Sequence, residues 1–147
     1  MTVIPAPAPR LLPALDDANR AFWTGGRDGN LMVGRCPACR RWALPPATSC
    51  PECGDALVPE PASGRARVWT WTLNSHQYHP DVPPPTLIAI VVLDEQDDLR
   101  LATNLVHVDE AAVREGLPVQ VLFEDHGEMF YPVFEPVAGA GAGAGAG

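Results

Sequence analysis

Cys36-Pro-Ala-Cys39 and Cys50-Pro-Glu-Cys53, with Gly54 directly behind the second pair, form the stretch of sequence that decides the fold. They are the only four cysteines in the chain, and their pattern is C-x2-C-x10-C-x2-C. Two residues between paired cysteines let successive backbone N–H groups turn under a sulfur, so both thiolates of one knuckle point at one ion. Two knuckles supply four soft ligands, the tetrahedral set that Zn²⁺ takes at about 2.3 Å per bond. Gly54 suits this pattern, because a chain leaving a knuckle often needs a positive φ. With cysteine at all four positions no coordination site is left for water, so the zinc expected here is structural and hydrolyses nothing.

Two other uses of the cysteines compete with this reading. A redox Cys-x-x-Cys usually opens a helix after a buried strand, whereas both pairs here sit among Pro, Arg and Gly. Disulfides need an oxidising compartment. Met1–Pro9 is Pro/Ala-rich, with neither the basic head nor the apolar run of a secretory leader. Zn²⁺ on Cys36, Cys39, Cys50 and Cys53, in a cytoplasmic protein, is the expectation. No run approaches the roughly 20 apolar residues of a membrane helix.

Outward from the knuckles, 147 residues hold one modest domain plus a small appended module. Residues 1–13 read as a mobile Pro/Ala start, 14–60 as a helix and zinc ribbon, 61–137 as a barrel, and 138–147 as a disordered Ala/Gly tail. The helix is expected over Leu15–Thr24, with Asp16 or Asp17 in its first turn and Gly25-Gly26 ending it. Asn30–Arg35 reads as a strand into the first knuckle. The ribbon runs from about Leu31 to Pro59, with a hinge over Glu60–Gly64.

Beyond Gly64 the period becomes that of strands. Arg65–Asn74 alternates, with Arg65, Arg67, Trp69, Trp71 and Leu73 on one face and Val68, Thr70, Thr72 and Asn74 on the other. Thr86–Asp94 is apolar at both parities and reads as a central strand buried on both sides. Leu99–Val106, Pro118–Glu124 and Glu128–Phe134 complete five strands, with a short helix over Asp109–Glu115 before the fourth. Three strands, a helix and two strands match the layout of an OB-fold, a five-stranded Greek-key barrel. The fold class expected is mainly β: helix, zinc ribbon, OB-fold.

Charge divides along the chain. Residues 27–67 carry six arginines against four acids, a net of +2. Residues 68–147 carry two against twelve, a net of −10, and the whole chain stands at −8. OB-folds often bind single-stranded nucleic acid through basic grooves with stacking aromatics. Trp69, Trp71 and Tyr78 could stack bases, but an acidic barrel repels a polyanion, so that function is the alternative and not the first choice. An enzyme acting alone would need a nucleophile–base or acid–base set. No known catalytic spacing is present, and His76-x-x-His79 in the loop Ser75–Pro85 is the only candidate; no catalytic residue is assigned.

Several residues taken together carry a family resemblance: Phe22-Trp23 with Gly25 before Leu31, Arg35 before Cys36, and Pro45-Pro46 before Cys50. Gly64-x3-Val68 with Thr70 and Thr72, Pro85 leading into Ile90-Val91-x-Leu93-Asp94, Gly116-Leu117-Pro118-Val119, and Pro132-Val133-Phe134 continue it. From about Ala18 to Pro136 the chain resembles the family of rubredoxin-like zinc-ribbon plus OB-fold proteins, first described as a domain of unknown function. One departure is Asp97, where many relatives have Gly.

The resemblance implies a non-catalytic accessory subunit of a thiolase-fold enzyme that helps bind or channel an acyl-CoA. Relatives accompany archaeal acetoacetyl-CoA thiolase and HMG-CoA synthase, and actinobacterial aldolases that shorten steroid side chains. In the latter the piece is sometimes fused to a hydratase-like subunit, a second possible partner. Within that frame the helix and ribbon are expected to face the partner. Arg40, Arg41, Arg65 and Arg67 are the candidate contacts for the phosphates of coenzyme A. The barrel mouth, lined by His76–Pro85, is expected to turn toward the acyl-CoA entry.

Overall fold

A computed structural model of the chain describes residues 2–77 and 80–138. Tyr78, His79 and the Ala/Gly run 139–147 lie outside the described residues, so the expectations placed on them carry no structural account. The order is β1 (Thr2–Pro5), α1 (Arg20–Thr24), a 3₁₀ turn (Gly25–Asp28), β2 (Leu31–Arg35), β3 (Trp42–Ala43) and β4 (Val58–Ala62). Then come β5 (Arg65–Asn74), β6 (Thr86–Leu93), β7 (Arg100–Leu105), a 3₁₀ turn (Glu110–Ala112), β8 (Pro118–Asp125) and β9 (Phe130–Pro136). No helix among the described residues is long and apolar enough to cross a membrane.

Strands β5 to β9 close on themselves in the order β8-β5-β6-β7-β9, with β8 and β9 also paired, which is the OB-fold barrel. Its interior is filled by Val68, Val91, Leu93, Val119, Val121, Phe123 and Phe134. The ribbon is a separate three-stranded sheet, β3-β2-β4. Its β4 passes through Glu60–Ala62, where a hinge was expected, because Leu31 to Arg35 pair with Ala62 back to Val58 and use that stretch as their third strand. The turn between the two units is only Ser63-Gly64.

The helix is shorter than its composition suggests. Asp16 Oδ1 accepts the Asn19 N–H and Asn19 Oδ1 accepts the Asp16 N–H, both at 2.8 Å. This reciprocal pair satisfies backbone donors in a turn, so the regular helix starts only at Arg20. Gly25-Gly26 does not stop it either. The chain continues as a 3₁₀ turn, and the left-handed stop falls at Gly29 (φ 76°). Gly26 is glycine for want of room: a Cβ there would sit 2.5 Å from the Phe123 ring. The second helix expected, over Asp109–Glu115, is reduced to the 3₁₀ turn Glu110–Ala112.

Three further expectations need correcting. The start of the chain was read as mobile, yet Thr2–Pro5 adds to the barrel as a strand parallel to β8. In β5 the pairing jumps between Val68 and Thr70, a bulge that leaves Trp69 outside the ladder. The bulge reverses the alternation. Trp69 stays 44% exposed with the Arg100 guanidinium 4.0 Å over its ring, whereas Trp71 packs against the core. Strand β6 is buried on one face only. Leu87, Ala89, Val91 and Leu93 point inward, while Ile88 on the outer face is 38% exposed. Among the described residues no helix or second sheet packs over that outer face.

The acidic turn after β6 ties the two units together. The Gln96 side chain acts like a strand neighbour to Trp42. Its Oε1 accepts the Trp42 N–H (2.9 Å) and its Nε2 donates to the Trp42 carbonyl (3.0 Å). Glu95 accepts the Ser63 N–H at 2.6 Å, and Arg41 pairs with Asp98. Hydrogen bonding by Gln96, followed by the Arg41 guanidinium, holds the Asp98 carboxyl below its ordinary pKa. That contribution is therefore complete above the ordinary carboxylate range and is lost as pH falls through the lowered value. Gln96→Ala is expected to leave both Trp42 backbone groups without partners and to cost about 1–3 kcal/mol in urea denaturation. Trp42 amide exchange should accelerate with it, and unchanged exchange would show that the clamp is idle.

Candidate metal centre and ligand-facing surfaces

Both knuckles are built the same way. In the first, the Arg40 N–H donates to the Cys36 carbonyl (2.9 Å) and the Cys36 N–H to the Arg41 carbonyl (2.8 Å). In the second, Gly54 N–H meets the Cys50 carbonyl (3.0 Å) and Cys50 N–H the Asp55 carbonyl (2.7 Å). Four residues after each leading cysteine the backbone turns left-handed, at Arg40 (φ 65°) and Gly54 (φ 81°). The second of these was expected. The first falls on an arginine, in a region L-residues seldom occupy.

The repeated turns bring all four sulfurs within 4.8 Å of one another. Cys36 and Cys53 Sγ lie 3.3 Å apart, Cys39 and Cys50 3.6 Å, and Cys39 and Cys53 3.9 Å. A tetrahedron with bonds of about 2.3 Å has edges near 3.8 Å, so the donor set fits a tetrahedral thiolate-bound metal. Within each knuckle the backbone favours the leading thiolate. The Cys39 N–H lowers Cys36 to about 7, and the Cys53 N–H lowers Cys50. The trailing thiols shift the other way: the Arg41 backbone favours the Cys39 thiolate, but burial and the Cys36 and Cys50 sulfurs outweigh it and push Cys39 up. The Asp55 backbone favours the Cys53 thiolate, but the Cys36 sulfur, burial and the Cys50 sulfur outweigh it and push Cys53 up to about 12. Four such sulfurs side by side can all ionise only around a cation.

The four arginines singled out from the sequence do not form one cluster. Arg41 spends its charge on Asp98 and Glu52, and Arg40 lies 3.9 Å from Glu60. Among the described residues no carboxylate pairs with Arg65 or Arg67. Both are exposed at the start of β5, and Val92, opposite Arg67, sits between it and Arg100 in the register. His76 is exposed in the loop after β5, its N–H held by Asn74. His107 and His126 each spend a ring nitrogen on a carboxylate, Glu135 and Glu124 respectively.

Sequence reasoning missed the barrel mouth's own chemistry. Glu124 is 1% exposed at the end of β8, where Arg10 Nε (2.6 Å) and Nη2 (3.2 Å) reach it from the N-terminal segment. Arg10 also donates to Asn104 Oδ1 (2.8 Å) and lies 4.0 Å over the Tyr131 ring. The segment Pro7–Arg10, so pinned, walls a cavity of about 490 Å³ against the ends of β5, β6 and β7. A lone arginine in a Pro/Ala run, and a charged residue closing an apolar strand, were the signals available. A second depression, about 350 Å³, lies where helix, ribbon and barrel meet, between Trp23, Leu44, Pro45, Arg100, Ala102 and Tyr131. Trp23 there meets Phe22 edge-on (4.9 Å between ring centroids, 86° between planes) and Tyr131 at a tilt (5.3 Å, 37°).

A rubredoxin-like ribbon carrying four gathered thiols, joined through a two-residue turn to an OB-fold barrel, defines a zinc-ribbon/OB-fold protein. Residues 23–58 match the ChsH2 rubredoxin-like zinc ribbon domain and residues 59–124 the ChsH2 C-terminal OB-fold domain. The chain belongs to the ChsH2 family. It is similar to a chain of the Ltp2-ChsH2(DUF35) aldolase, with 33% identity, a TM-score of 0.74, and coverage of 85% of this chain and 98% of that one. A DUF35-family protein of unknown function from Sulfolobus solfataricus shares the fold at 15% identity and a TM-score of 0.60, over 82% of this chain and 86% of that one. A curated relative, a probable enoyl-CoA hydratase alpha subunit from Thermomonospora curvata, is 33% identical over 127 residues, 84% of this chain. This chain spans only 39% of that relative's length.

Protein purified without added metal is expected to carry close to one zinc per chain. Cys39→Ser should abolish that stoichiometry and melt the ribbon, because binding at such sites is worth roughly 10–16 kcal/mol and is folding energy for a sheet this small. The barrel, whose apolar strands lie outside the ribbon, should keep its protection from amide exchange. A well-folded ribbon with a metal ratio near zero would refute the assignment.

Proposed function

We propose that this chain is an accessory subunit that binds a thiolase-fold enzyme of aldolase or thiolase type and assists its handling of an acyl-CoA, with structural Zn²⁺ on Cys36, Cys39, Cys50 and Cys53. The observation that carries the proposal is the near-complete match to one chain of an aldolase complex, 98% of that chain at 33% identity. The chemistry agrees. The four cysteines are gathered in the ribbon, and the described histidine pairs are His–carboxylate pairs with no nucleophile attached. The chain by itself performs no thiolysis, aldol cleavage or hydration. The hydratase name of the longer relative fits a further region that this chain does not match, so a hydratase-like subunit is a second candidate partner.

The partner-facing surface proposed is the depression around Trp23, Tyr131 and Leu44, where helix, ribbon and barrel all contribute. Half-buried aromatics beside an arginine, here Arg100, are the composition of interface anchors. Contacts to coenzyme A phosphates are assigned to Arg65 and Arg67, whose charges no described carboxylate takes up, in preference to Arg40 and Arg41. Strand β5 separates these arginines from the mouth cavity by about 20 Å, six residues at strand rise, so the two surfaces serve different parts of a ligand.

An affinity-tagged chain is expected to retain a thiolase-fold subunit from its native cells, identified by mass spectrometry. Trp23→Ala should weaken that complex by about 2 kcal/mol, roughly thirtyfold in Kd, with zinc content unchanged. Salt-sensitive retention of single-stranded DNA with no enzyme attached would overturn the reading.

Charge reversal at Arg65 and Arg67, both to Glu, is expected to raise the complex's apparent KM for its CoA substrate while leaving assembly intact. Wild-type KM in that variant would remove these arginines from the ligand path.

A further inference from the structure

We infer that the barrel-mouth cavity is a binding site for a neutral, predominantly apolar ligand body bearing one hydroxyl or keto oxygen. The inference rests on the accessory-subunit reading only in naming the natural occupant, the apolar acyl portion of the partner's substrate; the cavity's own chemistry stands without it.

The cavity's size is the first argument. At about 490 Å³ it falls in the range of small-molecule sites. Its walls come from four separated parts of the chain, residues 7–10, 73–87, 104–110 and Glu124. Leu73, Leu87 and Leu105 provide the floor from three adjacent strands, and Val82 and Pro85 one side. Pro7 and Pro9 of the N-terminal segment face them. Prolines have little conformational freedom to lose, so a wall of prolines costs little to order around a ligand.

Polarity gives the second argument. Thr86 lines the cavity, and its Oγ1 is buried without a hydrogen-bond partner among the described residues. A buried hydroxyl left unpaired is costly, and a ligand oxygen at the cavity would satisfy it. Asn104, the neighbouring amide, is already used. Its Nδ2 donates to the Leu87 carbonyl (3.0 Å) and its Oδ1 accepts from Arg10. One polar position on the ligand is therefore matched, not several.

Charge supplies the third. The lining includes the carboxylates Asp109, Glu110 and Glu124. Among the described residues the only arginine of the lining is Arg10, and Glu124 holds it in a two-pronged ion pair. His107, also in the lining, has its Nδ1 on Glu135 Oε1 at 2.7 Å. An anionic ligand group meets acids here whose nearest cation is already committed, so phosphates and carboxylates are excluded and a neutral body is selected.

The test uses the full zinc-loaded chain and two fluorescent probes, neutral prodan, which carries one keto oxygen, and anionic anilinonaphthalene sulfonate. Prodan is expected to bind one per chain with a blue shift, and at least tenfold more tightly than the sulfonate. Val82→Trp changes only the loop side of the mouth, so it should fill the cavity without entering the barrel core, and prodan binding should be lost. Thr86→Val should weaken prodan about fivefold while raising Tm, because the variant removes a hydroxyl that has no partner in the free protein. Equal prodan affinity in wild type and Val82→Trp, or sulfonate binding as tight as prodan, would overturn the inference. If prodan binds as expected but no acyl-CoA enzyme is recovered from cells, the cavity stands and the named occupant falls. Recovery of the enzyme without prodan binding removes the cavity site and leaves the accessory-subunit reading in place.

Discussion

The ribbon depends on four sulfur atoms that cannot ionise together without a cation between them. The ribbon's own apolar contribution is small, essentially Leu31, Val33, Trp42 and Ala43. Three short strands with so little to bury do not offset their conformational entropy. A thiolate-bound metal closes the gap by fixing both knuckles at once. The two knuckles repeat the same backbone hydrogen bonds, so the cluster is a property of the chain's turns and not of a chance approach of side chains.

The ribbon in turn is aimed by the barrel. Only Ser63 and Gly64 separate β4 from β5, too few to define an angle by themselves. The angle comes from the acidic turn after β6, where Gln96 grips both backbone groups of Trp42 and Glu95 and Asp98 take Ser63 and Arg41. Asp97 lies in the middle of this turn, yet the grip is made by the residues on either side. The depression at Trp23 and Tyr131 exists because this clamp sets the ribbon beside the barrel. Gly26, pressed onto the Phe123 ring, fixes the third component, the helix.

How much of this could be read beforehand follows the range of the interactions. The pairing of the two cysteine knuckles into one cluster, the five barrel strands and their order were legible, since knuckle spacing and strand periodicity are local. Helix length was not. The Asp16–Asn19 pair competes with helix through two side-chain hydrogen bonds, and composition alone does not reveal which wins. Trp69 and Trp71 share a parity in sequence, and only the bulge separates them; a bulge arises from pairing with β6 and has no one-strand signature. Strand β6 looked buried on both sides because Ile and Val occupy both parities. Its outer face instead lies open beside the N-terminal segment. Glu124 was invisible as a site because its partner, Arg10, is 114 residues away.

The barrel's seams are unequal. Strand β8 meets β9 along seven residue pairs and β6 meets β7 along six, but β7 and β9 share a single pair, Leu105 with Phe134, continued by the Val106 N–H to the Phe134 carbonyl at 2.9 Å. Opening free energies follow the local density of such bonds. The cylinder is thus a sheet buttoned along one edge, with the buried Thr103 hydroxyl donating to the Pro132 carbonyl (3.1 Å) as a second fastening, and the end rung sits at the cavity, since Leu105 and Val106 both line it. A guest larger than the resting volume has one inexpensive way in: to part that edge by a rung, leaving the other four seams and the metal-braced ribbon undisturbed.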